Sequence, residues 1–360
     1  MGQMNNLSFI LHSPQKVSIE SRPSPCIIDA HDVLVKVAST GICGSDLHYY
    51  KHGRISIYEV KSPMTLGHES AGIVTEIGPT VTMVQLGDQV AMEPGVPCRY
   101  CDYCRSGRYN LCRKMQFAAT PPYDGTLCDV YRLPEDFCHK IPASVSLEEG
   151  ALAEPLSVAV HVTLKQAKVQ LGDQVVVFGA GPIGLLRCAV ARSYGAEKVI
   201  AVDINKSRLD FAKAYAATDV CDAKTLSEGT VEEAAKTLAK QTNLREGVAD
   251  IIVEASGVES SIRLGIHLAK PDGTFVQAGM GRDDVNFPIG AICGKELDVK
   301  GSFRYGPGDY ETAIKLITTG RVDVARLITK VVPFGLAEQA FSGAGDPQGI
   351  KTIIHGPSFS

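Results

Sequence analysis

Residues 174–184 carry the sequence QVVVFGAGPIG, and this stretch decides the fold that we predict. Its first five residues form an apolar, β-branched run that is typical of a strand buried on both faces. The pattern G-x-G-x-x-G follows at once, with its glycines at Gly179, Gly181 and Gly184. An apolar helical pattern then continues to residue 194. A strand, a glycine turn and a helix in this order predict one strand–helix unit of a parallel sheet.

The sequence on either side supports two domains. Residues 199–202, 250–254 and 273–277 are typical of further buried strands, and residues 207–217 of a helix. Alternating strands and helices predict a doubly wound parallel sheet. The first 150 residues and those after about 297 look β-rich instead, with strands at 33–37, 71–77 and 89–91. We therefore predict an α/β protein in which a dinucleotide-binding domain (157–296) interrupts a β-rich domain (1–156 and 297–360).

Two local signals lie just before the glycine-rich stretch. Ser146 and Glu149, three residues apart, predict a capping box at the start of a short helix. Pro155 cannot lie inside a helix, so it predicts the opening of a second helix that runs to about residue 167.

The glycine pattern and an acidic residue beyond it together indicate a nucleotide site. The first glycine makes the tight turn, the second lets the backbone approach a pyrophosphate, and the third lets helix pack on strand. Asp203 follows the next strand, 19 positions after Gly184. A carboxylate there suits the ribose hydroxyls of NAD and would repel the 2′-phosphate of NADP. The alternative is a glycine turn in an unrelated parallel sheet.

Composition excludes several classes of function. The chain has 360 residues, 44% of them hydrophobic, and a formal net charge of −4. This argues against nucleic acid as a main partner, because phosphate binding needs a concentrated basic face. No apolar run approaches the roughly 20 residues that cross a bilayer. Residues 1–10 lack the features of a signal peptide. We expect no membrane partner and a cytoplasmic location.

Four of the eleven cysteines form a tight cluster. In a cytoplasmic chain cysteines are expected to be reduced, so clustered ones indicate metal ligands rather than disulfides. The spacing C-x2-C-x2-C-x7-C lets four thiolates close a tetrahedron around Zn²⁺ and leaves no open position. We predict a structural zinc site and keep thiol redox chemistry as the alternative. Its ligands are Cys98, Cys101, Cys104 and Cys112.

A second group of metal-binding side chains is dispersed along the sequence. Cys43 follows a predicted strand, His68 and Glu69 follow a glycine, and Glu154 precedes Pro155. One thiolate, one imidazole and carboxylates suit zinc, and three protein ligands leave a position for water or substrate. Zinc would act there as a Lewis acid on a coordinated alcohol. The alternatives are a hydrogen-bonded structural histidine and a solvated glutamate.

The motifs taken together resemble a known family. They are GICGSDLH at residues 41–48, G-H-E-x2-G-x5-G-x2-V at 67–81, the cysteine quartet, and EPLS at 154–157. This combination is similar to the zinc-containing medium-chain dehydrogenases, and within them to the polyol dehydrogenases that oxidise sorbitol, xylitol or L-arabinitol. Residues 117–122 and 301–306 look most like fungal xylitol dehydrogenases. The resemblance spans essentially the whole chain.

The resemblance implies a fold, partners and roles for individual residues. It implies a GroES-like catalytic domain around a Rossmann domain, NAD and two zinc ions as cofactors, a polyol substrate and a homotetramer. Cys43, His68 and Glu69 match the catalytic zinc ligands, and Glu154 a carboxylate that binds this metal directly or through water. The remaining positions match a proton path (Ser45, His48), the polyol pocket (Tyr49, Phe117, Arg304, Tyr305) and cofactor contacts (Ile183, Asp203, Arg208, Gly279, Phe303).

These observations rank the candidate functions. The resemblance favours an NAD-dependent oxidation of xylitol to D-xylulose, with L-arabinitol or D-sorbitol as rival substrates that differ in hydroxyl placement or by one carbon. A simple alcohol dehydrogenase is disfavoured, because Glu154, Arg304 and Tyr305, in the pocket positions that the resemblance implies, would be too polar for an aliphatic chain. A zinc-free quinone reductase would lack Cys43 and the quartet. A non-catalytic NAD-binding protein of the same fold is the remaining alternative.

Overall fold

A computed structural model describes residues 5–226, 229–343 and 349–359, whose strands and helices we number along the chain. The strands are β1 (Asn5–Ser13), β2 (Lys16–Pro23), β3 (Asp32–Gly41), β4 (Arg54–Ile55), β5 (Tyr58–Glu59), β6 (Met64–Thr65), β7 (Glu69–Ile77), β8 (Gln89–Met92), β9 (Gly95–Val96), β10 (Gln116–Phe117), β11 (Val130–Pro134), β12 (Cys138–Lys140), β13 (Gln174–Phe178), β14 (Lys198–Asp203), β15 (Asp219–Asp222), β16 (Ala249–Glu254), β17 (Ala269–Gln277), β18 (Asp298–Gly301), β19 (Ile328–Val332) and β20 (Lys351–His355).

The helices lie between and after these strands. They are α1 (Gly44–His52), α2 (Asp102–Arg105), α3 (Leu147–Ala151), α4 (Ala153–Val160), α5 (Pro182–Ser193), α6 (Lys206–Tyr215), α7 (Val231–Gln241), α8 (Glu259–Leu268), α9 (Ile289–Lys295), α10 (Asp309–Thr318) and α11 (Ala337–Ser342). No helix in the described part of the chain is both long enough and apolar enough to cross a membrane.

The chain divides into two compact units. The split unit comprises Met1–Pro155 and Gly306–Ser360, and the central unit comprises Leu156–Tyr305. The sequence predicted that the chain leaves the dinucleotide-binding domain and returns to the β-rich domain near residue 297. The parallel sheet instead continues through β18, which pairs with β17, and the central unit ends at Tyr305.

The central unit is built on a parallel six-stranded sheet. Its strand order is β15-β14-β13-β16-β17-β18, so the strand order reverses direction between β13 and β16. All five residues of β13 are buried, as the apolar run predicted. Side chains such as Val176, Ile200 and Phe275 form the core between sheet and helices. The predicted doubly wound fold is confirmed, and its reversal point is where such sheets bind ligands.

The split unit is built around β3. This strand pairs antiparallel with β7, β11 and β20 within a seven-stranded sheet. One apolar core lies under β3, β7 and β8 and includes Val35, Val74 and Met92. A second core includes Phe9, Leu66 and Phe341. The end of β3, at Gly41, is therefore buried in a well-packed part of the split unit.

The segment that leads into the glycine-rich strand matches the sequence signals in part. Ser146 and Glu149 form the predicted capping box, with Ser146 N donating to Glu149 and Glu149 N donating to Ser146. Helix α4 begins at Ala153, two residues before Pro155. Proline fits the first turn because the first N–H groups of a helix have no partner within it. The predicted α-helix then becomes a π-helix over His161–Gln166.

Candidate functional site

The cysteine quartet forms a compact cluster in the split unit. The ligand atoms of all four cysteines lie within 4.8 Å of one another. The Sγ of Cys104 lies 3.4 Å from that of Cys101 and 3.9 Å from that of Cys98. Four sulfurs at about 2.3 Å from a tetrahedral zinc would be about 3.8 Å apart. The spacing of the thiols therefore fits the metal that the sequence implied.

The pKa values of two of these thiols are shifted in opposite directions by their surroundings. The backbone N–H groups of Tyr100 and Cys101 lower the pKa of Cys98 to about 6. Burial and the neighbouring thiols raise the pKa of Cys104 to about 12. A cation placed among the four sulfurs would favour the thiolate form of each, since metal binding requires deprotonated cysteine.

A hydrogen-bonded cluster holds the quartet loop to the sheet. The hydroxyl of Tyr109 donates to Glu93 Oε1 over 2.5 Å, and His139 Nε2 lies 2.7 Å from Glu93 Oε2. The His139 ring stacks on Tyr310, with 4.8 Å between ring centroids. Burial raises the pKa of Glu93 although both bonds oppose that rise. Glu93 and Cys104 also line a cavity of about 290 Å³. Sequence reasoning did not identify this cluster.

Sheet register brings the dispersed metal-binding residues together. Gly41, at the end of β3, lies opposite Glu69, the first residue of β7, and Cys43 then caps α1. A Cβ at Gly41 would collide with Oε2 of Glu69. One ligand atom from each of Cys43, His68 and Glu69 lies within 4.8 Å of the ligand atoms of the other two residues. Oε1 of Glu69 is fully buried and has no hydrogen-bond partner in the described residues. The donor set therefore fits zinc.

A buried carboxylate orients this cluster. Asp46 accepts hydrogen bonds from the backbone N–H groups of Cys43 and Gly67, and its Oδ1 lies 3.4 Å from Nδ1 of His68. Burial opposes ionisation of Asp46, but His68 and these N–H groups lower its pKa. Burial would likewise lower the pKa of His68, but the charges of Asp46 and Cys43 raise it well above its ordinary value. Asp46 thus fixes Nδ1 and leaves Nε2 for a metal.

Lys351, which sequence reasoning missed, completes the cluster. Its ammonium pairs with Glu69 and donates to the carbonyl of Ile42 over 2.9 Å. The side chain is 4% exposed. Burial would lower the pKa of Lys351, but the charges of Glu69, Cys43 and Glu154 raise it. Its position at the start of β20 gave no signal, because a single lysine before an apolar run is ordinary in sequence.

Glu154 lies near this cluster but is not among the residues whose ligand atoms lie within 4.8 Å of one another. It is buried in the first turn of α4, and its charge acts on the ammonium of Lys351. The set of ligand atoms within 4.8 Å contains Cys43, His68 and Glu69. The geometry therefore separates three close donors from a fourth possible donor, the carboxylate of Glu154, which is buried near them.

The predicted proton path and part of the predicted pocket adjoin the cluster. Ser45 Oγ lies 3.4 Å from Nε2 of His68, and His48 lies one turn further along α1 at the surface. The Phe117 ring lies 5.8 Å from that of His68, centroid to centroid. Tyr49 is buried in the core that includes Phe9.

The predicted pyrophosphate turn has the geometry that its glycines require. Gly179 has a φ of +96°, and Gly181 precedes α5 with Pro182 as its first residue. A Cβ at Gly184 would collide with the carbonyl of Gly179. The turn therefore needs glycine at the first and third positions and opens onto the positive end of a 12-residue helix. Ile183 is half-buried in the first turn of that helix.

Asp203 stands at the carboxyl end of the neighbouring strand. Its Oδ2 accepts from the N–H of Ala180 over 2.7 Å and its Oδ1 from the N–H of Asn205 over 2.8 Å. These bonds tie the acidic residue to the glycine turn. Arg208 lies on the first turn of α6, where Nε is buried without a hydrogen-bond partner among the described residues.

The remaining predicted residues also lie in the central unit. Gly279 donates its N–H to the carbonyl of Glu254, and a Cβ there would collide with the N–H of Gly257. The guanidinium of Arg304 lies 4.7 Å from the centroid of the Phe303 ring. Tyr305 is fully buried.

Comparison with known proteins identifies the family. Residues 29–143 match the alcohol dehydrogenase GroES-like domain, and residues 182–319 match the zinc-binding dehydrogenase model. The chain belongs to the zinc-binding dehydrogenase family. It is similar to D-xylulose reductase A of Aspergillus oryzae, with 57% identity over 351 residues, which cover 98% of this chain and 97% of that protein.

Two solved structures carry the same fold with a nicotinamide cofactor. An alcohol dehydrogenase of Escherichia coli, solved with NADH, has a TM-score of 0.87 and 26% identity and covers 98% of this chain and 100% of its own. A protein of Sinorhizobium meliloti, bound to NADP, has a TM-score of 0.88 and 28% identity, with the same two coverages. The resemblance to zinc dehydrogenases, the Rossmann sheet and the GroES-like domain are thus confirmed, and this zinc-binding dehydrogenase is an oxidoreductase.

Proposed function

We propose that this zinc-binding dehydrogenase oxidises xylitol to D-xylulose with NAD. The observation that carries the proposal is the set of partly buried Cys43 with buried His68 and Glu69, close to a second buried carboxylate at Glu154. The 57% identity to D-xylulose reductase A of A. oryzae over nearly the full length supports the choice of substrate. The split unit would be the catalytic domain and the central unit the dinucleotide-binding domain.

The chain's residues would hold two zinc ions. Cys43, His68 and Glu69, with Glu154 directly or through water, would hold the catalytic ion, and the quartet would hold the structural one. Zinc bound to the first set supplies a Lewis acid that lowers the pKa of a coordinated alcohol. Asp46 keeps His68 in the orientation and tautomer that metal binding needs. Lys351 offsets the buried charge of Glu69.

Other side chains would move the proton and recognise the polyol. Ser45, beside His68, would take the alcohol proton, and exposed His48 would pass it to solvent. Glu154 would offer a carboxylate to hydroxyl groups of the substrate. Phe117 would supply an apolar wall beside His68. We assign Tyr49, Arg304 and Tyr305 to recognition of the polyol on the family resemblance.

NAD is the proposed cofactor because of Asp203. The solved relatives include one with NADH and one with NADP, so the fold accepts either. A carboxylate at the end of β14 favours free ribose hydroxyls over a 2′-phosphate. Gly179, Gly181 and Gly184 would cradle the pyrophosphate, and Ile183, Arg208, Gly279 and Phe303 would contact the rest of the cofactor.

The assembly we propose is a homotetramer. Among the described residues, strand β18 is an edge of the parallel sheet, and an edge strand can pair with another chain. Apolar side chains are exposed in the same unit at Met280, Ile289 and Val299. An exposed edge with apolar side chains suits a symmetric contact between copies.

The test is the initial rate of NADH formation with xylitol, L-arabinitol, D-sorbitol and ethanol, each with NAD or NADP. Xylitol is expected to be fastest and NAD preferred. A preference for L-arabinitol or D-sorbitol would assign the site to another polyol. Activity confined to ethanol would indicate an alcohol dehydrogenase. Zinc-loaded protein inactive on every alcohol would indicate a non-catalytic NAD-binding protein.

The cofactor assignment has its own test. Asp203→Ala removes the carboxylate that repels a 2′-phosphate, so the ratio of kcat/KM with NADP to that with NAD should rise about tenfold or more, equivalent to at least 1.4 kcal/mol. Asp222→Ala, at the end of neighbouring β15, is the matched control. An unchanged ratio in Asp203→Ala would contradict the role of Asp203.

A further inference from the structure

The exposed face of α1 carries two histidines that the proposed chemistry uses only in part. His48 and His52 are four residues apart on this helix, and both are exposed. Their ring centroids lie 5.3 Å apart, with 54° between the ring planes. Neither ring has a hydrogen bond or an ion pair to any described residue. Two uncommitted imidazoles therefore face the same patch of solvent.

The separation of the rings matches what one metal ion requires. A transition metal lies about 2.0–2.1 Å from an imidazole nitrogen, which places it about 3.2 Å from the ring centroid along the same line. Two imidazoles at a tetrahedral angle then have centroids about 5.2 Å apart. The observed 5.3 Å is close to this value. Histidines at i and i+4 on one helical face are a recognised zinc-binding pair.

The electrostatics of the helix end act on a bound cation in both directions. His52 is the last residue of α1, where the carbonyl end of the helix carries partial negative charge. Lys51 lies in the same turn and opposes the binding of a cation. Neutral imidazole selects zinc and similar transition metals over Mg²⁺ or Ca²⁺, which prefer oxygen ligands.

We propose that His48 and His52 form a surface site for a divalent transition metal such as Zn²⁺, separate from both buried clusters. Each imidazole gives its lone pair to the ion, and water fills the other positions. Occupancy inhibits turnover, because a metal-bound His48 nitrogen cannot accept the proton relayed through Ser45. This inhibition rests on the proposed function, whereas metal binding at the site does not.

The test adds ZnCl₂ to the zinc-loaded enzyme and follows binding by calorimetry and turnover by initial rate. One further Zn²⁺ per chain should bind, and turnover should fall with the same half-saturation. His52→Gln, which lies outside the catalytic machinery, should raise that concentration about tenfold or more and leave the rate without added zinc unchanged. MgCl₂ should have neither effect. Lys51→Gln keeps both rings and removes a repelling charge, so it should bind at least as tightly as the wild type.

Two results would overturn the inference. Binding by His52→Gln equal to that of the wild type would eliminate the site. Zinc binding that depends on His52 but leaves turnover unchanged would contradict inhibition through His48. An enzyme that oxidises no polyol would refute the proposed function instead, and the calorimetric titration would still measure the site.

Discussion

The two sulfur-containing clusters of the split unit are built in opposite ways. The quartet takes its ligands from one 15-residue loop, and three of its four cysteines are partly exposed. The second cluster takes Cys43 from just after the end of β3 and His68 and Glu69 from the adjacent start of β7, and Glu69 is fully buried. The quartet is thus a closed, local set, whereas the second cluster is deep and has further carboxylates and a lysine around it. This contrast fits the roles that we propose, a structural site for the quartet and a reactive site for the second cluster (the reactive cluster).

The largest effect should come from the reactive cluster. Cys43→Ala removes the thiolate of the proposed catalytic set, and we expect turnover to fall by about 10³-fold or more while the unfolding midpoint changes little. Initial rates and thermal unfolding of the same preparation measure both quantities. Cys26→Ala, at an exposed cysteine outside both clusters, is the control and should keep full turnover.

The quartet should respond in the reverse manner. Cys101→Ala opens the closed tetrahedron, and loss of a structural metal is among the few single changes that cost about 4 kcal/mol or more of unfolding free energy. Activity per folded molecule should stay near that of the wild type. Denaturant unfolding and active-site-normalised rates check this, and a loss of turnover without a loss of stability would reverse the two assignments.

A smaller loss of stability should follow from Lys351→Met. In zinc-free protein this change leaves the buried carboxylate of Glu69 without its positive partner, which costs about 3 kcal/mol of unfolding free energy. Lys351→Met combined with Glu69→Gln removes both charges and should recover most of the loss. Denaturant unfolding of both single variants and the double variant measures the coupling. Losses that simply add would show that the two side chains are not coupled.

The smallest effect concerns how the quartet loop is held. Tyr109→Phe deprives buried Glu93 of a hydrogen bond, at a cost of about 1–2 kcal/mol, and should release the structural zinc several-fold faster to a chelator. Tyr100→Phe in the same loop is the control, because Tyr100 is 85% exposed. Equal release from both variants would mean that the Glu93 cluster does not retain the metal.

Local patterns predicted the fold and one cluster well. The apolar run into Gly179 gave β13, the turn and α5, because strand, turn and helix are each determined by a few neighbouring residues. The C-x2-C spacing likewise gave the quartet. The π-helix over His161–Gln166 was not predicted, because π-helices are rare and occur mostly as single turns within α-helices, whose sequence pattern they continue.

The reactive cluster needed more than local pattern. Cys43 and Glu69 meet because β3 and β7 pair in a particular register, which spacing along the chain does not reveal. Family resemblance supplied the ligands, but not Lys351, which comes from β20 over three hundred residues later. Asp46 lies inside the quoted motif GICGSDLH, so its carboxylate was visible in sequence, but its contact with His68 was not.

The most direct test of the proposed roles, one reactive cluster and one structural cluster, compares Cys43→Ala with Cys101→Ala. Zinc content, turnover per folded molecule and unfolding midpoint are measured for both variants. The account predicts that Cys43→Ala keeps its midpoint and about one zinc per chain but loses turnover. Cys101→Ala should lose the structural zinc and stability but keep turnover. If both variants merely lost stability and kept full activity per folded molecule, the assignment of one reactive and one structural cluster would be wrong.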